Sequence, residues 1–302
     1  MAASETTIRA GRRRIRLTNP DKLLFPADGI TKRDLAEYYA AVERPMRTHI
    51  QDRPLNVWRW NAGIDRDVVV QQEMPRGLPG WVRSVEVRRR GRGGTVRHAV
   101  GGAQVCVALA QLNCVTPHAW AGRADRVERP DRIIFDLDPP DEDPDAHWPA
   151  VVAGARATGD VLRELGLTPF AKTSGSRGLH VVAPIRRGRD ADDVRAVAGA
   201  IAELVAARRP DTLTTAWRKA GRGGRILVDV ARNTYSQTTV APYAVRALPG
   251  APVATPIAWD ELDDPRLHPR RWTLATVPAR LGEVGDPWAD IDSAARALPR
   301  LD

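Results

Sequence analysis

Asp131-Arg-Ile-Ile-Phe-Asp-Leu-Asp138 is the stretch on which the reading of this chain turns. An apolar run ends on two carboxylates two residues apart. Side chains alternate along a strand, so Asp136 and Asp138 share one face while Phe135 and Leu137 pack into the other. Two bare carboxylates side by side repel, and one takes up a proton unless a cation sits between them. A divalent metal resolves the conflict and supplies a Lewis acid. The plainer reading is a chance Asp-x-Asp that caps a strand, and the pair alone leaves both open. The residues beyond it favour the metal. Residues 225–230 form a second apolar strand that carries Asp229 at its end. Thr173-Ser-Gly-Ser-Arg-Gly-Leu-His180 leads into a strand over 179–185. Its glycines let backbone N–H groups turn inward as an anion nest, and Ser174 and Ser176 add hydroxyl donors. Arg177 can fork onto phosphate oxygens, and His180 can donate once more. A tight turn with a surface histidine is the competing interpretation. Three strand-borne carboxylates with a phosphate cradle compose a two-metal phosphoryl-transfer site if they converge in space.

The remaining chain is consistent with a polyanion partner. Its 302 residues suffice for one large domain or two small ones, and its net charge is +9. Of 46 basic residues only Lys22, Lys32, Lys172 and Lys219 are lysines, which leaves 42 arginines. Such arginine and alanine richness also follows from a GC-rich genome, so placement says more than bulk charge. Cys106 and Cys114 supply neither a disulfide framework nor a zinc knuckle and suit a reducing cytoplasm. The polar, Arg-rich start carries no secretory signal. Residues 99–122 lack Asp, Glu, Lys and Arg, yet they contain Gln104, Gln111, Asn113 and Pro117. A buried helix followed by a loop is expected there instead of a membrane span.

Residues 1–13 read as a loose basic arm. A helix is expected over 31–50, capped by Thr31, with Leu35, Tyr38, Tyr39 and Val42 on one face. A hairpin is expected over 85–100, with Arg88, Arg89, Arg90, Arg92 and Arg97 at its tip and flanks. Further helices are expected over 102–113, 147–165 and 192–208, the last presenting Val194, Val197, Ile201, Leu204 and Val205 on one face. Strands alternating with helices give an α/β or α+β class.

Taken in order, Asp136-Leu-Asp138-Pro, Ser174-Gly-Ser-Arg-Gly-Leu-His180, Val228-Asp229 and Thr238-Thr-Val-Ala-Pro-Tyr-Ala-Val-Arg246 resemble the polymerase domain of bacterial ligase D, of the archaeo-eukaryotic primase superfamily. Leu17-Thr-Asn-Pro-Asp-Lys22, Thr31-Lys32, Trp259-Asp-Glu-Leu and Gly285-Asp-Pro-Trp288 extend the resemblance over about 14–292. It implies the primase-polymerase fold, an α+β architecture with mixed central sheets flanked by helices. It implies one catalytic domain over 14–292, between the 1–13 arm and a 293–302 tail. The implied activity is template-directed nucleotide addition with two Mn²⁺ or Mg²⁺ ions, preferring ribonucleotides, in end joining, gap filling or priming. By the same carry-over Asp136 and Asp138 would hold both ions and Asp229 the catalytic one. Ser174, Ser176, Arg177 and His180 would hold the triphosphate. Arg222 and Arg246 fall on basic positions near triphosphate or template, and Asn19, Lys22 and Lys32 on a pocket for a DNA 5′-phosphate. The implied partners are gapped, broken or primed DNA, nucleoside triphosphates and end-joining proteins, at the nucleoid and away from membranes.

Several positions depart from the family pattern. Val69 and Val70 stand where many members carry aromatics able to stack on a base. Asn113 replaces a glutamate in Leu112-Asn-Cys-Val-Thr-Pro-His118-Ala-Trp120, leaving His118 a weak site candidate, and Gln237 replaces a lysine of some relatives. Lys172-Thr-Ser-Gly175 superficially resembles the ligase Lys-x-Asp-Gly motif without its Asp, so no ligase activity is expected and a stand-alone or excised polymerase domain is. Two rival functions remain. Phe135-Asp-Leu-Asp138 also resembles the nucleophile motif of haloacid-dehalogenase-type phosphatases, although Pro139 replaces the expected Thr or Val. A DNA-end-binding module without catalysis is the other. The arginine-rich hairpin would grip DNA through phosphates in any DNA-binding reading.

Overall fold

The computed structural model describes residues 4–91, 93–141 and 143–300. Arg92, expected at the hairpin tip, lies outside the described residues. The class is α+β, with sheets flanked by helices. The chain divides into two compact units, one of residues 1–127, 238–253 and 272–285 and one of residues 128–237, 254–271 and 286–302.

The second unit is built on a six-stranded sheet in the order Leu213–Thr214, Ile226–Asp229, Arg132–Asp138, Leu179–Pro184, Phe170–Thr173 and Pro256–Ile257. Neighbours are antiparallel except the first pair, which is parallel. The Arg132–Asp138 strand is therefore central. Its odd-numbered side chains, Phe135 and Leu137, are buried on the face covered by helices Pro144–Glu164 and Ala191–Arg208. Gly154 lets the first helix approach the sheet, because a Cβ there would stand 3.0 Å from Leu213 Cδ2. Asp143 and Asp190 cap these helices, each accepting two backbone N–H bonds from the first turn. On the second helix Val194, Ile201 and Val205 are buried as expected. Val197 is only partly covered and Leu204 is exposed, because the contact stripe is filled by Ala198 and Ala202 instead. On the opposite sheet face, Trp288 packs edge-on against Phe170 and donates its indole N–H to the Ala171 carbonyl at 3.0 Å. The 293–302 tail is docked where it is described: Arg186 N–H donates to the Arg296 carbonyl at 2.7 Å.

Asn233 completes this sheet without being in a strand. The strand beside Arg132–Asp138 ends at Asp229, which leaves Ile134 without a backbone neighbour on that side. The Asn233 amide takes over: its oxygen accepts from Ile134 N–H at 2.8 Å, and its NH₂ donates to the Ile134 carbonyl at 2.7 Å and the Val230 carbonyl at 2.9 Å. Asn233→Ala would strand a buried N–H and a buried C=O at about 1–3 kcal/mol each. A loss of roughly 3–4 kcal/mol is expected, read as a shifted midpoint in chemical denaturation with unchanged slope.

The first unit holds a sheet in the order Thr238–Val240, Cys114–Trp120, Pro54–Arg59, Thr95–Val100 and Ser84–Arg88, with the short strand Val69–Gln71 also pairing to Pro54–Arg59. The expected hairpin is thus present over Ser84–Val100. The expected 31–50 helix is two helices, Lys32–Ala41 and Glu43–Ile50, broken at Val42. Thr31 caps the first in a capping box with Asp34. Leu35, Tyr38, Tyr39 and Val42 are all buried. The phenols of Tyr38 and Tyr39 donate to the carbonyls of Tyr243 and Val115 at 2.8 and 2.6 Å. Within 99–122 a buried helix, Val105–Gln111, is followed by a strand and not by the expected loop. Cys106 and Cys114 are free and buried, and burial pushes both thiols up, Cys114 to about 12. No helix among the described residues is long and apolar enough to cross a membrane. The expected loose arm is not loose: Glu5–Ala10 pairs antiparallel with Arg13–Thr18 and buries Ile8, Ala10, Ile15 and Leu17. Its alternation of apolar and polar residues is a strand pattern interrupted by arginines.

Candidate active site

Strand register assembles the site. Asp136 stands directly opposite Asp229 on one side and opposite His180 on the other, and His180 stands opposite Lys172. Directly paired residues point to one face. Asp229, Asp136, His180 and Lys172 therefore form a row across four neighbouring strands, on the face away from Phe135 and Leu137. Asp138 lies on the same face, two residues along from Asp136.

The carboxylates are unequal. Asp136 lies 3.4 Å from His180 Nε2 and 3.8 Å from Arg232 Nε. Burial pushes its carboxyl up to about 6; Arg232 opposes the shift, Asp138 and Asp229 add to it, and Lys172 opposes it. Asp138 is turned to two guanidinium groups. Arg177 Nη2 donates to its Oδ1 at 3.1 Å, and Arg222 Nη1 to its Oδ2 at 3.3 Å. Asp229, 7% exposed, accepts the Ala231 N–H at 2.7 Å.

The 173–180 loop differs from a simple anion nest. Ser174 Oγ accepts the N–H groups of Ser176 and Gly178 at 3.2 and 3.0 Å, so these donors face inward and hold the turn. Gly178 passes so close to the central strand that a Cβ would stand 2.0 Å from the Leu137 carbonyl oxygen. Only glycine fits, and its fit brings Arg177 to Asp138. Arg270 Nε donates to the Ser176 carbonyl at 2.8 Å and buttresses the loop from outside. The basic side chains beside the carboxylates are those of Arg177, Arg222 and His180. Arg232 and Arg270 carry no sequence signal for the site, and Lys172 enters the sequence reading only through its superficial ligase-like motif.

The donor set is three carboxylates with no sulfur, which suits a hard divalent cation such as Mg²⁺ or Mn²⁺. The raised carboxyl of Asp136 is the conflict that such a cation relieves. Among the described residues no three His, Cys, Asp or Glu side chains already converge as ligands; the three positions share one face, with Asp138 engaged by arginines.

The other expected residues lie in the first unit. Asn19 adopts φ 50°, a left-handed conformation that asparagine tolerates. This turn lets Lys22 N–H donate to the Asn19 carbonyl at 3.1 Å, and Lys32 N–H in turn donates to the Lys22 carbonyl at 2.8 Å. The structure so brings Asn19, Lys22 and Lys32 together. Lys22 Nζ donates to the Asn61 carbonyl. Lys32 is 3% exposed, and its ammonium donates to the carbonyls of Thr18 and Gln111 at 2.9 and 3.1 Å. Burial first, then the Lys22 charge, lowers it to about 8. These two bonds use two of its three N–H donors. His118 stacks on Trp58 with centroids 4.4 Å apart and is buried in the sheet. Arg246 is partly covered, and its backbone N–H donates to Pro252. Val69 and Val70 are exposed on the short outlying strand.

This chain sets strand-borne carboxylates that suit a hard divalent cation beside arginines and a histidine, the arrangement of a metal-dependent phosphoryl-transfer site. It belongs to the family described as LigD, primase-polymerase domain, whose model matches residues 31–288. It is 32% identical over 291 residues to the multifunctional non-homologous end joining protein LigD of Pseudomonas aeruginosa, covering 95% of this chain and 34% of that protein. It is 33% identical over 300 residues to the LigD DNA repair protein of Mycobacterium tuberculosis H37Rv, covering 97% of this chain and 39% of that one. The chain thus spans less than two fifths of the length of these relatives. The polymerase domain from M. tuberculosis ligase D, solved in complex with DNA, superposes with a TM-score of 0.86 at 32% identity, covering 94% of this chain and all of that one.

Proposed function

We propose that the chain extends a primer 3′-hydroxyl under the direction of a DNA template, at gaps and breaks bearing a 5′-phosphate, in non-homologous end joining or gap repair. The observation that carries this is the register that sets Asp229 opposite Asp136 and Asp136 opposite His180, with Asp138 beside two arginines. Asp136, Asp138 and Asp229 would hold two ions, Mn²⁺ or Mg²⁺. Once bound, these supply an acidified primer hydroxyl and charge neutralisation at the pyrophosphate leaving group. Arg177, Arg222 and His180 grip the triphosphate and hold its α-phosphorus in line with the primer. Ser174 and Gly178 keep Arg177 in place, and no side-chain nucleophile is required. Asn19, Lys22 and Lys32 take the 5′-phosphate, Arg246 supports triphosphate or template, and residues 14–292 act as the catalytic region. Family membership speaks against an aspartyl-phosphate phosphatase and a binding module without catalysis.

The test is extension of a gapped duplex carrying a 5′-phosphate, with each nucleotide and each metal. Templated addition, faster with ribonucleoside than with deoxyribonucleoside triphosphates and faster with Mn²⁺ than with Mg²⁺, is expected. Equal use of both sugars under matched conditions would remove the ribonucleotide preference, and untemplated or absent addition would remove the polymerase reading.

A further inference from the structure

We propose that the outer face of the N-terminal hairpin is a second DNA-binding surface, which grips the phosphate backbone of the duplex downstream of the 5′-phosphate. The proposal rests on the reading of Asn19, Lys22 and Lys32 as the 5′-phosphate pocket.

The hairpin has two different faces. Ile8 and Ile15, paired in register, are buried with Ala10 and Leu17, and the ribbon packs on helices Lys32–Ala41 and Val105–Gln111. Its base is tied down: Thr18 N–H donates to Gln111 Oε1 at 2.9 Å, Gln111 Nε2 donates to Thr18 Oγ1 at 2.8 Å, and Asn19 N–H donates to the Ser4 carbonyl at 2.7 Å. The other face carries Thr7, Arg9, Arg14 and Arg16, all exposed. Arg16 is neutralised by a two-point contact with Glu5. Arg13 stands opposite Ala10, outside this row, and lies over the Trp81 ring at 4.3 Å. Arg9, Arg14 and, in the turn, Arg12 have no anionic partner among the described residues.

The register makes this arrangement unfavourable for the hairpin itself. Arg9 stands directly opposite Arg14, and like charges across an antiparallel pair destabilise it. A folding role would favour an acid at one of the two positions, as Glu5 serves Arg16. Two opposed arginines with a third at the turn instead make a stripe of positive charge on a rigid support, and phosphate is the anion that guanidinium groups fork onto. Geometry identifies which phosphates. Strand Arg13–Thr18 runs straight into Asn19, and the Lys32 ammonium is bonded to the Thr18 carbonyl at its end. From Arg14 to Asn19 is five residues, about 17 Å at roughly 3.3 Å each. That is the length of about five base pairs at 3.4 Å per step. A duplex whose 5′-phosphate sits at Asn19, Lys22 and Lys32, and which runs along the strand, carries its backbone past Arg14, Arg9 and then Arg12.

The test compares the wild-type chain with the triple variant Arg9→Gln/Arg12→Gln/Arg14→Gln in fluorescence anisotropy. The probes are gapped duplexes with about 3, 8 or 15 downstream base pairs, each bearing a 5′-phosphate or a 5′-hydroxyl, titrated at several salt concentrations. The wild type should bind the two longer duplexes about tenfold more tightly than the shortest. The variant should lose that gain, and its salt slope should fall by about 2–3, since each phosphate contact contributes roughly 0.9. Its preference for 5′-phosphate over 5′-hydroxyl should persist, and its melting temperature should stay equal or rise, because the opposed charges are gone. Wild-type affinity that discriminates the 5′-phosphate yet ignores duplex length overturns the hairpin proposal alone, as does a variant that keeps the length dependence. A wild type that ignores the 5′-phosphate overturns the pocket reading and the hairpin proposal with it.

Discussion

Asp136→Asn is expected to abolish nucleotide addition and, in the same protein, to raise the melting temperature of the metal-free form. The two effects share one cause. The Asp136 carboxyl is held up at about 6, chiefly by burial and with help from Asp138 and Asp229. In the unfolded chain it returns to the ordinary value of about 3.9. Between these values the folded state binds more protons than the unfolded state. Stability therefore falls as pH rises from about 4 to about 6 and stays low above that. At pH 7–8 the ionised group costs on the order of 2 kcal/mol, at 1.36 kcal/mol per unit and with allowance for solvent reaching it. Asparagine removes the charge and most of that cost. The gain should shrink below pH 6 and vanish near pH 4, where the wild-type carboxyl is protonated. Added Mn²⁺ should stabilise the wild type by binding the folded state alone and leave the variant nearly unmoved. Asp138→Ala and Asp229→Ala should also lose activity by about a thousandfold or more, since each ligand contributes to several kcal/mol of charge stabilisation. They should not share the stability gain: the first leaves Arg177 and Arg222 facing each other, and the second uncaps Ala231 N–H. Near-normal extension by any of the three would remove that residue from the site.

Lys22→Ala combined with Lys32→Ala should weaken binding to a 5′-phosphorylated gap by tenfold or more while affecting a 5′-hydroxyl gap little. Each charge-assisted contact is worth about 1.5–3 kcal/mol. Part of the Lys32 effect is structural, because its ammonium also satisfies the Thr18 and Gln111 carbonyls, so the discrimination ratio is the informative quantity and raw affinity is not. An equal loss at both ends would reduce the lysines to general electrostatic attraction. A pH titration separates their roles. Lys32 carries its proton below about 8, and phosphate binding favours the protonated form. Discrimination for the 5′-phosphate should therefore fall as pH rises through about 8. In Lys22→Ala alone the fall should move to higher pH, because the like charge that helps to depress Lys32 has been removed.

Much of this was legible in the sequence, for identifiable reasons. The period-2 pattern in 131–138 placed Asp136 and Asp138 on one face, and Thr31, a capping residue ahead of an apolar face at helical spacing, marked a helix start. The convergence of Asp229 on Asp136 was not legible, since strand order and register across a separation of 93 residues leave no local trace. The same gap hid Lys172, whose relevance comes from facing His180 across a strand pair. Arg232 and Arg270 reach the site from loops whose paths no periodicity describes. Ser174 was recognised as part of the cradle but not that its oxygen would turn inward to accept two N–H groups. In the N-terminal segment the arginines concealed an alternation that Ile8, Ala10, Ile15 and Leu17 nevertheless carry. At Val42 the apolar face continues through a break between two helices, so periodicity alone reads them as one.

The row of Asp229, Asp136, His180 and Lys172 makes the sheet a ruler. Adjacent strands stand about 4.8 Å apart, so the acidic and basic ends of the row are separated by roughly 14 Å, fixed by hydrogen-bonded rungs and not by loops. Insertions outside the strands leave that spacing untouched. Inserting one residue within the central strand before Asp136 would carry both of its carboxylates to the helix-covered face, whereas inserting two would keep the face and set Asp136 where Asp138 now stands. Only changes of length in the connections would therefore leave the row intact, whereas the four strands that carry the charges could exchange side chains but not alter their residue count without moving a carboxylate.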